Sequence, residues 1–550
     1  MSPALVIGLA FVYLLALFAV AIFAERSRKS GASWIHHPIV YALALGIHFT
    51  GWGYFASGAA LFNQGMGDLF LSIGATLSFL LGWPLLVKII RLCKTQRITT
   101  LPELLTVRFG HFPALRILAS VLLIAASLFY IAIQLATADY AIRLLIVEPP
   151  IRSVPITGLG GMLLALSVAA LAILFGARRV DPNEHHEGLV AALAMDGVVK
   201  FVALGGVALF AILAFPGLFN GAQAWPSLEP GPPNNPYLAS MAYLLIGMAS
   251  AVLLPRMFHV AVVENVSERQ VLLARWFFPF YIALLTGFTT VIAWVGTRLG
   301  LAGAQLEGAP IGVPELAGAP AMALLGYLGG ISASFSMMII SLVALANLVT
   351  TNLVLPALSG QGERLGPWLR PIRWAVILAL ALLSWGVWIA MRVDYLNEYG
   401  FLAMIATAQL APAVFFGLLW PRLKCQPVAW GIALSLLVWF YTGILPVIAD
   451  ATPALSSLLR DGPWGLAFLR PTALFGMTSF DPYAHSFFWS LLVNLGATLL
   501  LSLRVPEDPV EDARVRALLD GINEPVVPQQ RLRDPIAPGE EVEFLSAFVG

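Results

Sequence analysis

Long apolar stretches, separated by short polar segments, dominate the chain. Each is about 20 residues or longer, the length that crosses roughly 30 Å of hydrocarbon. The pattern predicts an all-α polytopic membrane protein with about thirteen transmembrane helices and a single transmembrane domain over residues 1–505. The stretches lie at about 3–24, 38–63, 68–92, 115–146, 156–177, 188–216, 236–256, 270–297, 319–358, 373–393, 398–420, 426–448 and 484–504.

Composition agrees with this prediction. The chain is 59% hydrophobic and 11% charged, and its mean hydropathy is +0.85. A net charge of +1 gives no indication of a nucleic-acid or acidic partner. The first apolar stretch has no basic leader and no small-residue cleavage site, so we expect a retained helix and not a signal peptide.

Basic residues mark alternate loops and predict an orientation. Loops after the odd-numbered stretches carry Lys and Arg, whereas the others carry few and are rich in Gly and Pro. The positive-inside rule then predicts an N-terminus outside and residues 506–550 as a cytoplasmic tail. We expect a multi-pass protein of the bacterial cytoplasmic membrane. The tail ends in EEVEFLSAFVG, which predicts that more protein follows. The basic positions are Arg26, Arg28, Lys29, Lys94, Arg97, Arg178, Arg179, Arg364, Arg370, Arg422 and Lys424.

Two apolar stretches contain residues that interrupt a helix. Unwound backbone at membrane depth is tolerated where it is buried in protein or lines a wet cavity, and transporters use such breaks to bind solutes and ions. The breaks are five stretches apart, which predicts two inverted repeats of five helices, about 38–216 and 236–420. Close helix packing through small residues is the alternative. The interrupting residues are Gly46, Gly51, Gly53 and Gly58 in the second stretch, and Gly247, Ser250 and Pro255 in the seventh.

Several motifs resemble known membrane proteins. TTLPELLTVRFG at 99–110 resembles the signature of sodium/solute symporters, and YIAIQL at 130–135 is similar to another part of that pattern. Physically, the first motif predicts a helix start in which Thr100 caps, Pro102 fits the first turn and Glu103 complements the helix dipole. Three further motifs resemble the membrane part of CbrA-type sensor histidine kinases: FGARRVDPNEHHEG (175–188), LPRMFHVAVVEN (254–265) and GGISASFSMMIISLVALANLVTTNLVLP (329–356).

The resemblance implies a fold and a cation site. The fold would be a LeuT-like 5+5 inverted-repeat bundle with flanking helices. The family's second sodium site would use backbone carbonyls of Gly46 and Phe49 with Ala333 and Ser336. Met337 departs from the pattern, because a thioether is a poor ligand for a hard cation, and Ser332 or Ser334 would have to substitute for it.

Asp196 and Lys200 stand four residues apart within an apolar stretch, on one helix face. Charges in hydrocarbon are costly, so we expect both to face the bundle interior, and each other. The resemblance links an acidic residue at the position of Asp196 to an additional cation site. Lys200 departs from the family pattern, and its ammonium would either occupy the cation's place, move as a gate, or form a purely structural pair.

Polar groups beside the two breaks are the candidates for solute binding. His48 stands where some sodium-coupled symporters carry an aspartate, which suits proton coupling, although a histidine bonded to nearby backbone is an equal alternative. The remaining candidates suit an amino acid or a small organic acid, with half-helix dipoles available for a carboxylate. They are Thr50, Gly51, Trp52, Tyr54, Gln134 and Ser250.

Two polar motifs are expected at the cytoplasmic face. Adjacent histidines in EHHEG (184–188) diverge on a helix, so this motif predicts capping and loop anchoring in preference to a metal site. Arg256, His259 and Glu264 are interpreted as marking the cytoplasmic exit of the seventh stretch, either as an inner gate or as anchors of a short interfacial helix.

The leading hypothesis is a secondary transporter module for a small solute, coupled to a Na⁺ or H⁺ gradient, with no cofactor beyond the coupling ion. The resemblance adds a downstream histidine kinase and its response regulator as partners. The rival hypothesis is a receptor that binds the solute and signals through its tail without transport. The chain carries no kinase motif and no catalytic triad, so we do not expect an enzyme.

Overall fold

The computed structural model describes most of the chain. The residues described are 1–29, 34–63, 65–110, 112–146, 158–176, 186–219, 236–358, 368–390, 398–450, 452, 455–478, 480–506 and 508–522. Glu184 and His185 of the EHHEG motif, the loop arginines Arg178, Arg179 and Arg364, and the end of the tail therefore lie outside the described residues.

Helices make up the described part of the chain, and no strand occurs there. The α-helices are α1 Pro3–Lys29, α2 Pro38–Ala44, α3 Gly51–Asn63, α4 Gly67–Leu80, α5 Trp83–Thr95, α6 Leu101–Phe109, α7 Pro113–Ile146, α8 Leu159–Gly176, α9 Glu187–Ala214, α10 Pro236–Leu253, α11 Pro255–Phe258, α12 Glu268–Arg298, α13 Ala304–Glu307, α14 Ala309–Leu316, α15 Pro320–Val349, α16 Leu355–Ala357, α17 Leu369–Ala390, α18 Glu398–Ala408, α19 Ala411–Leu419, α20 Cys425–Trp439, α21 Leu445–Asp450, α22 Ser456–Asp461, α23 Pro482–Ser502 and α24 Pro509–Gly521.

The all-α membrane fold is confirmed, but the count of thirteen transmembrane helices is not. Nine segments in the described residues are long and apolar enough to cross a bilayer, and three bent pairs of helices raise the number to twelve. The stretch predicted at 156–177 contains a shorter apolar helix over Gly160–Leu174. The stretch predicted at 68–92 is bent by 64° between α4 and α5, a break that the sequence analysis missed.

Both predicted breaks are present. After α2 the chain continues as a 3-10 helix over Leu45–His48, and Phe49 is extended, so that α2 and α3 meet at 60°. In the second break Leu254 is extended, with ψ of 134°, and α10 meets the following segment at 51°. The residue before a proline avoids helical geometry, so Pro255 explains the position of this second break.

Glycine serves two purposes in these segments. A Cβ on Gly51 would collide with Ser334 Oγ and would lie 2.9 Å from Gln134 Oε1, so the first break needs a glycine to approach its neighbours. A Cβ on Gly58 or Gly247 would instead collide with backbone carbonyls of α12 or α4. The packing alternative therefore holds for these two glycines, alongside the break.

The two breaks lie at a similar depth in the bundle. At one end, which the basic loops predict to be cytoplasmic, His36 Nε2 contacts Glu187 Oε1 at 3.1 Å and His36 O accepts a hydrogen bond from Gln270. Glu264 lies at this same end, where it bonds His186. From His36 and from Glu264 the chain reaches its respective break after roughly 15–20 Å of helix rise, which is about half the thickness of the hydrocarbon core.

Helices α9 and α15 form the centre of the bundle. Helix α15 packs against α9 and α7, while α9 also contacts α1, α2 and α12. Helices α20 and α23 pack against each other outside this group. Since α9 and α15 carry the predicted acidic and serine ligands, their contact brings both beside the first break.

The signature motif forms α6 as predicted. Thr100 caps this helix and forms a capping box with Glu103, and Pro102 lies in the first turn. The Glu103 carboxylate accepts hydrogen bonds from the backbone N–H groups of Thr99 and Thr100 at 2.8 and 3.0 Å. Gly110 ends the helix with φ of +82°, which a residue with a side chain rarely adopts.

Candidate functional site: the cation position and the polar cluster between the broken helices

The carbonyls predicted to bind sodium are occupied by a side chain. Lys200 Nζ, on α9, donates hydrogen bonds to Gly46 O and Phe49 O, each at 2.8 Å. The same ammonium lies 2.9 Å from Asp196 Oδ2, and both side chains are 0% exposed. The break changes the bonding of these carbonyls, since Gly46 O accepts its backbone hydrogen bond from Phe49 N, at 3.1 Å, in a 3-10 turn and has room for the ammonium as a second donor. The ammonium therefore occupies the place that the resemblance assigns to a cation.

The other Asp196 oxygen is held by a chain of hydroxyl groups. Ser332 of α15 donates to Asp196 Oδ1 at 2.5 Å, and Tyr13 OH lies 2.5 Å from Ser332 Oγ. Tyr13 belongs to α1, outside both predicted repeats, and its position carries no signal in the sequence. All three side chains are buried, so the carboxylate is enclosed by three helices.

The predicted ligands on α15 lie beside this group. Ala333 and Ser336 are buried, but Ser336 Oγ has no hydrogen-bond partner among the described residues. Met337 contacts Ser341 Oγ through sulfur at 3.7 Å. Ser332 reaches Asp196, whereas Ser334 donates to Gly330 O within its own helix. Of the two serines expected to substitute for Met337, Ser332 is the one that contacts Asp196.

A second cluster of polar groups lies between the two breaks. Gln134 Nε2 of α7 donates to Thr50 Oγ1 at 3.4 Å, and Gly51 closely approaches the same glutamine. Trp52 packs edge-on against Tyr130 and Phe401, with ring centroids 6.0 and 5.4 Å apart. Thr50, Trp52 and Gln134, predicted to line one site, are thus brought together.

Arg256 belongs to this cluster and not to the cytoplasmic exit where the sequence interpretation placed it. Its guanidinium lies over the Tyr130 ring, 4.0 Å from the centroid, two residues after the second break. Arg256 is 3% exposed, and its Nε and Nη2 atoms have no hydrogen-bond partner in the described part of the chain. Lys200 forms an ion pair with Asp196, so Lys200 and Arg256 belong to two different polar clusters.

Other buried polar atoms of this cluster also have no partner among the described residues. They include Trp52 Nε1, Tyr130 OH and Gln134 Oε1. Buried polar groups are nearly always hydrogen-bonded, so several together in one place indicate a bound molecule or water.

The remaining solute-binding candidates are placed less centrally. His48 packs edge-on against Phe278, with centroids 5.7 Å apart. Ser250 donates to Gly247 O in the same helix at 3.0 Å. Tyr54 is 0% exposed, and its hydroxyl lies where a Cβ on Gly329 would collide with it. These three residues face helix-packing contacts.

The start of the tail docks on the signature helix. Asp512 of α24 accepts a hydrogen bond from Lys424 at 2.7 Å, and Arg514 donates to the carbonyls of Val107 and Arg108 at 3.0 and 3.2 Å. Arg91 also donates to Ile522 O. Hydrogen bonding to Lys424 lowers the pKa of Asp512 below its ordinary value of 3.8. Because burial disfavours the charged guanidinium, the pKa of Arg108 falls to about 10.

The described residues thus define a class by fold: a helical membrane bundle in which two broken helices lie beside a buried ion pair. The sequence model of the sodium:solute symporter family matches residues 37–155, which run from the first broken helix to just beyond α7. No curated protein matches the chain.

The chain is similar to solved structures of transporters. A Na⁺-coupled sialic acid symporter, in its substrate-bound outward-open state, matches with a TM-score of 0.62 at 12% sequence identity. The match covers 91% of this chain and 98% of that one. A manganese transporter of Eremococcus coleocola aligns with a TM-score of 0.42 at 15% identity, over 89% of this chain and 93% of that one. The first match confirms the predicted LeuT-like symporter fold.

Proposed function

We propose that the chain is a carrier module for a small solute with a carboxylate group, and that this carboxylate binds Arg256 between the broken helices. One observation carries this proposal: a buried guanidinium lies on Tyr130 beside the second break, and its Nε and Nη2 have no hydrogen-bond partner among the described residues. Burying a charge is costly unless it is paired. A solute carboxylate supplies that pair, and Arg binds carboxylates through two parallel hydrogen bonds.

The surrounding groups narrow the solute to an amino acid or a small organic acid. Trp52 Nε1 offers a donor, and Gln134 Oε1 offers an acceptor to a hydroxyl or ammonium group. The aromatic rings of Trp52, Tyr130 and Phe401 provide apolar walls. This combination of walls and few polar groups is typical of sites for small molecules.

Coupling is proposed to take place at Asp196. The buried carboxylate and the carbonyls of Gly46 and Phe49 together require one positive charge, which the Lys200 ammonium supplies. Na⁺ is the coupling ion of the symporter that shares this fold. In this proposal Na⁺ and the Lys200 ammonium compete for one position. Na⁺ can therefore bind there only after the Lys200 side chain has lost its proton or moved away.

The test is uptake by the purified chain in liposomes. Amino acids and organic acids are scanned under imposed Na⁺ or H⁺ gradients, and gradient-driven accumulation is expected for at least one carboxylate. Arg256→Met should abolish it, and Arg256→Lys should retain part of it. Arg275→Met is the matched control, because Arg275 also lies on an aromatic ring, Trp83, at 4.9 Å. Unchanged uptake by Arg256→Met would contradict the proposal.

A receptor is the second candidate, favoured by the docked tail. Helix α24 contacts α6 and Lys424, so movement of the bundle reaches the tail directly. In this candidate the solute binds saturably and does not accumulate, and a histidine kinase beyond the tail passes the signal to a response regulator. The tail is then cytoplasmic, in the bacterial inner membrane, as the basic loops predict. Binding with accumulation would favour the carrier.

A further inference from the structure

Two histidines and a glutamate converge at the end of the bundle predicted to be cytoplasmic. His186 directly precedes α9, without a capping hydrogen bond from its side chain, while His259 begins a π-helix over His259–Val263 that Glu264 follows. His186 Nδ1 lies 3.0 Å from Glu264 Oε1, and His259 Nε2 lies 3.1 Å from the same oxygen. The three atoms all lie within 4.8 Å of one another.

Hydrogen bonding does not account for the position of His259. Its side chain is 4% exposed, and its Nε2 atom has no hydrogen-bond partner among the described residues, although Glu264 Oε1 lies at 3.1 Å. Nε2 and Oε1 are close enough for a hydrogen bond, but their relative orientation does not allow one. Ligand atoms of a metal behave in this way, because each is directed at the ion and not at its neighbour. In a tetrahedral zinc site with bonds of 2.0–2.1 Å, neighbouring ligand atoms are about 3.3 Å apart.

We propose that His186 Nδ1, His259 Nε2 and Glu264 Oε1 form a site for a divalent transition metal of the Zn²⁺ type. Three protein ligands leave a fourth position for water, as in open zinc sites. Imidazole nitrogens favour Zn²⁺ and Co²⁺ over Mg²⁺ and Ca²⁺, which prefer oxygen.

The surroundings orient the carboxylate. The backbone N–H of His186 donates to Glu264 Oε2 at 3.0 Å and turns Oε1 toward the two imidazole nitrogens, and such outer contacts fix ligands in metal sites. The π-helix contributes too, because its wide turn closes Glu264 N onto His259 O at 2.9 Å and stacks the two side chains.

The ligands come from segments far apart in the sequence. His186 and Glu264 are 78 positions apart, and they belong to the helix that ends the first predicted repeat and the broken helix that begins the second. A bound ion therefore cross-links α9 to the segment after the second break. The consequence is a bundle end that opens less readily when the metal is present.

The test uses the full chain, purified in detergent and stripped with a chelator. Calorimetric titration with Zn²⁺, and metal analysis after desalting, should show one ion per chain, bound about 100-fold more tightly than Mg²⁺. His259→Gln and Glu264→Gln should each weaken Zn²⁺ binding by about tenfold or more. His37→Asn is the control, because His37 caps α2 at the same end without joining the cluster.

A spectroscopic measurement covers the case in which a variant does not fold. Co²⁺ added to the unaltered chain should give the intense visible absorption of a four-coordinate site, and Zn²⁺ should abolish it. Weak six-coordinate absorption, equal affinity for Mg²⁺, or Zn²⁺ binding unchanged in both folded variants would overturn the proposal.

Discussion

Replacing Lys200 with methionine tests the cation position most directly. The substitution keeps the length and apolar stem of the side chain but removes the ammonium. Asp196 then loses a positive charge at 2.9 Å, and the carbonyls of Gly46 and Phe49 each lose a donor at 2.8 Å. Only Ser332 still donates to the carboxylate among the contacts described above. The variant should therefore be left with a buried, uncompensated negative charge.

The expected loss is large because removing one partner of a buried ion pair costs about 3–5 kcal/mol. For a chain of this size, a change of 1 kcal/mol in the free energy of unfolding shifts the melting temperature by about 1 °C. The melting temperature should therefore fall by roughly 3–5 °C in a sodium-free buffer. Na⁺ supplies the missing charge. At a concentration 100 times its Kd it returns about 2.7 kcal/mol, which restores most of the loss.

The assay compares melting temperatures in NaCl and in choline chloride at equal ionic strength. The unaltered chain should differ little between the salts, whereas Lys200→Met should melt about 2–3 °C higher in NaCl. The double variant Asp196→Asn, Lys200→Met removes both charges and should lose the response to Na⁺. Lys88→Met, at a half-buried lysine of α5, controls for loss of a lysine.

One result would refute the reasoning. If Lys200→Met melts with the unaltered chain in both salts, the ammonium does not compensate Asp196. A sodium response that persists in the double variant would place the ion elsewhere.

Three further outcomes are expected. Tyr13→Phe removes the hydroxyl paired with Ser332, and should lower the free energy of unfolding by about 0.5–1.5 kcal/mol in denaturant titrations; no change would exclude Tyr13 from the network. Glu103→Ala leaves buried N–H groups at the start of α6 unpaired, and should cost about 1–3 kcal/mol by the same measurement, whereas Glu103→Gln should cost less. The lowered pKa of Asp512 makes its contact favourable above about pH 4 and weaker as the pH falls through the lowered value. Proteolysis of the tail should therefore stay slow from pH 8 to about pH 5, and early release would contradict this.

Much of the fold follows from the sequence because lipid imposes strict rules. Apolar length predicts the helices, and Gly51 and Pro255 mark the breaks through local backbone effects. The bend between α4 and α5 was missed, since Gly82 and Pro84 near it resemble ordinary features of membrane helices. Local signals also explain the success with α6, where Thr100 and Glu103 act within one turn.

The site was predictable only in part. Asp196 and Lys200 share one helix face, so spacing alone brings them together. Tyr13 and Arg256 reach their partners across the bundle, through packing that no local pattern encodes. The proximity of His186 to His259 was not predicted for the same reason. His186 belongs to the motif at 184–188 and His259 to the motif at 254–265, and neither motif alone contains all three proposed ligands.

The docked tail has a further consequence. Helix α24 is joined covalently to the surface it occupies, so it meets α6 at an effective concentration in the millimolar range. Any other protein that binds α24 must compete with α6 of the same chain. A protein of moderate affinity in free solution would therefore not displace α24 from α6. Each 1.4 kcal/mol changes the equilibrium between bound and released α24 tenfold. Weakening the contacts of Arg514 and Lys424 by less than that would therefore raise the released fraction of α24 several-fold.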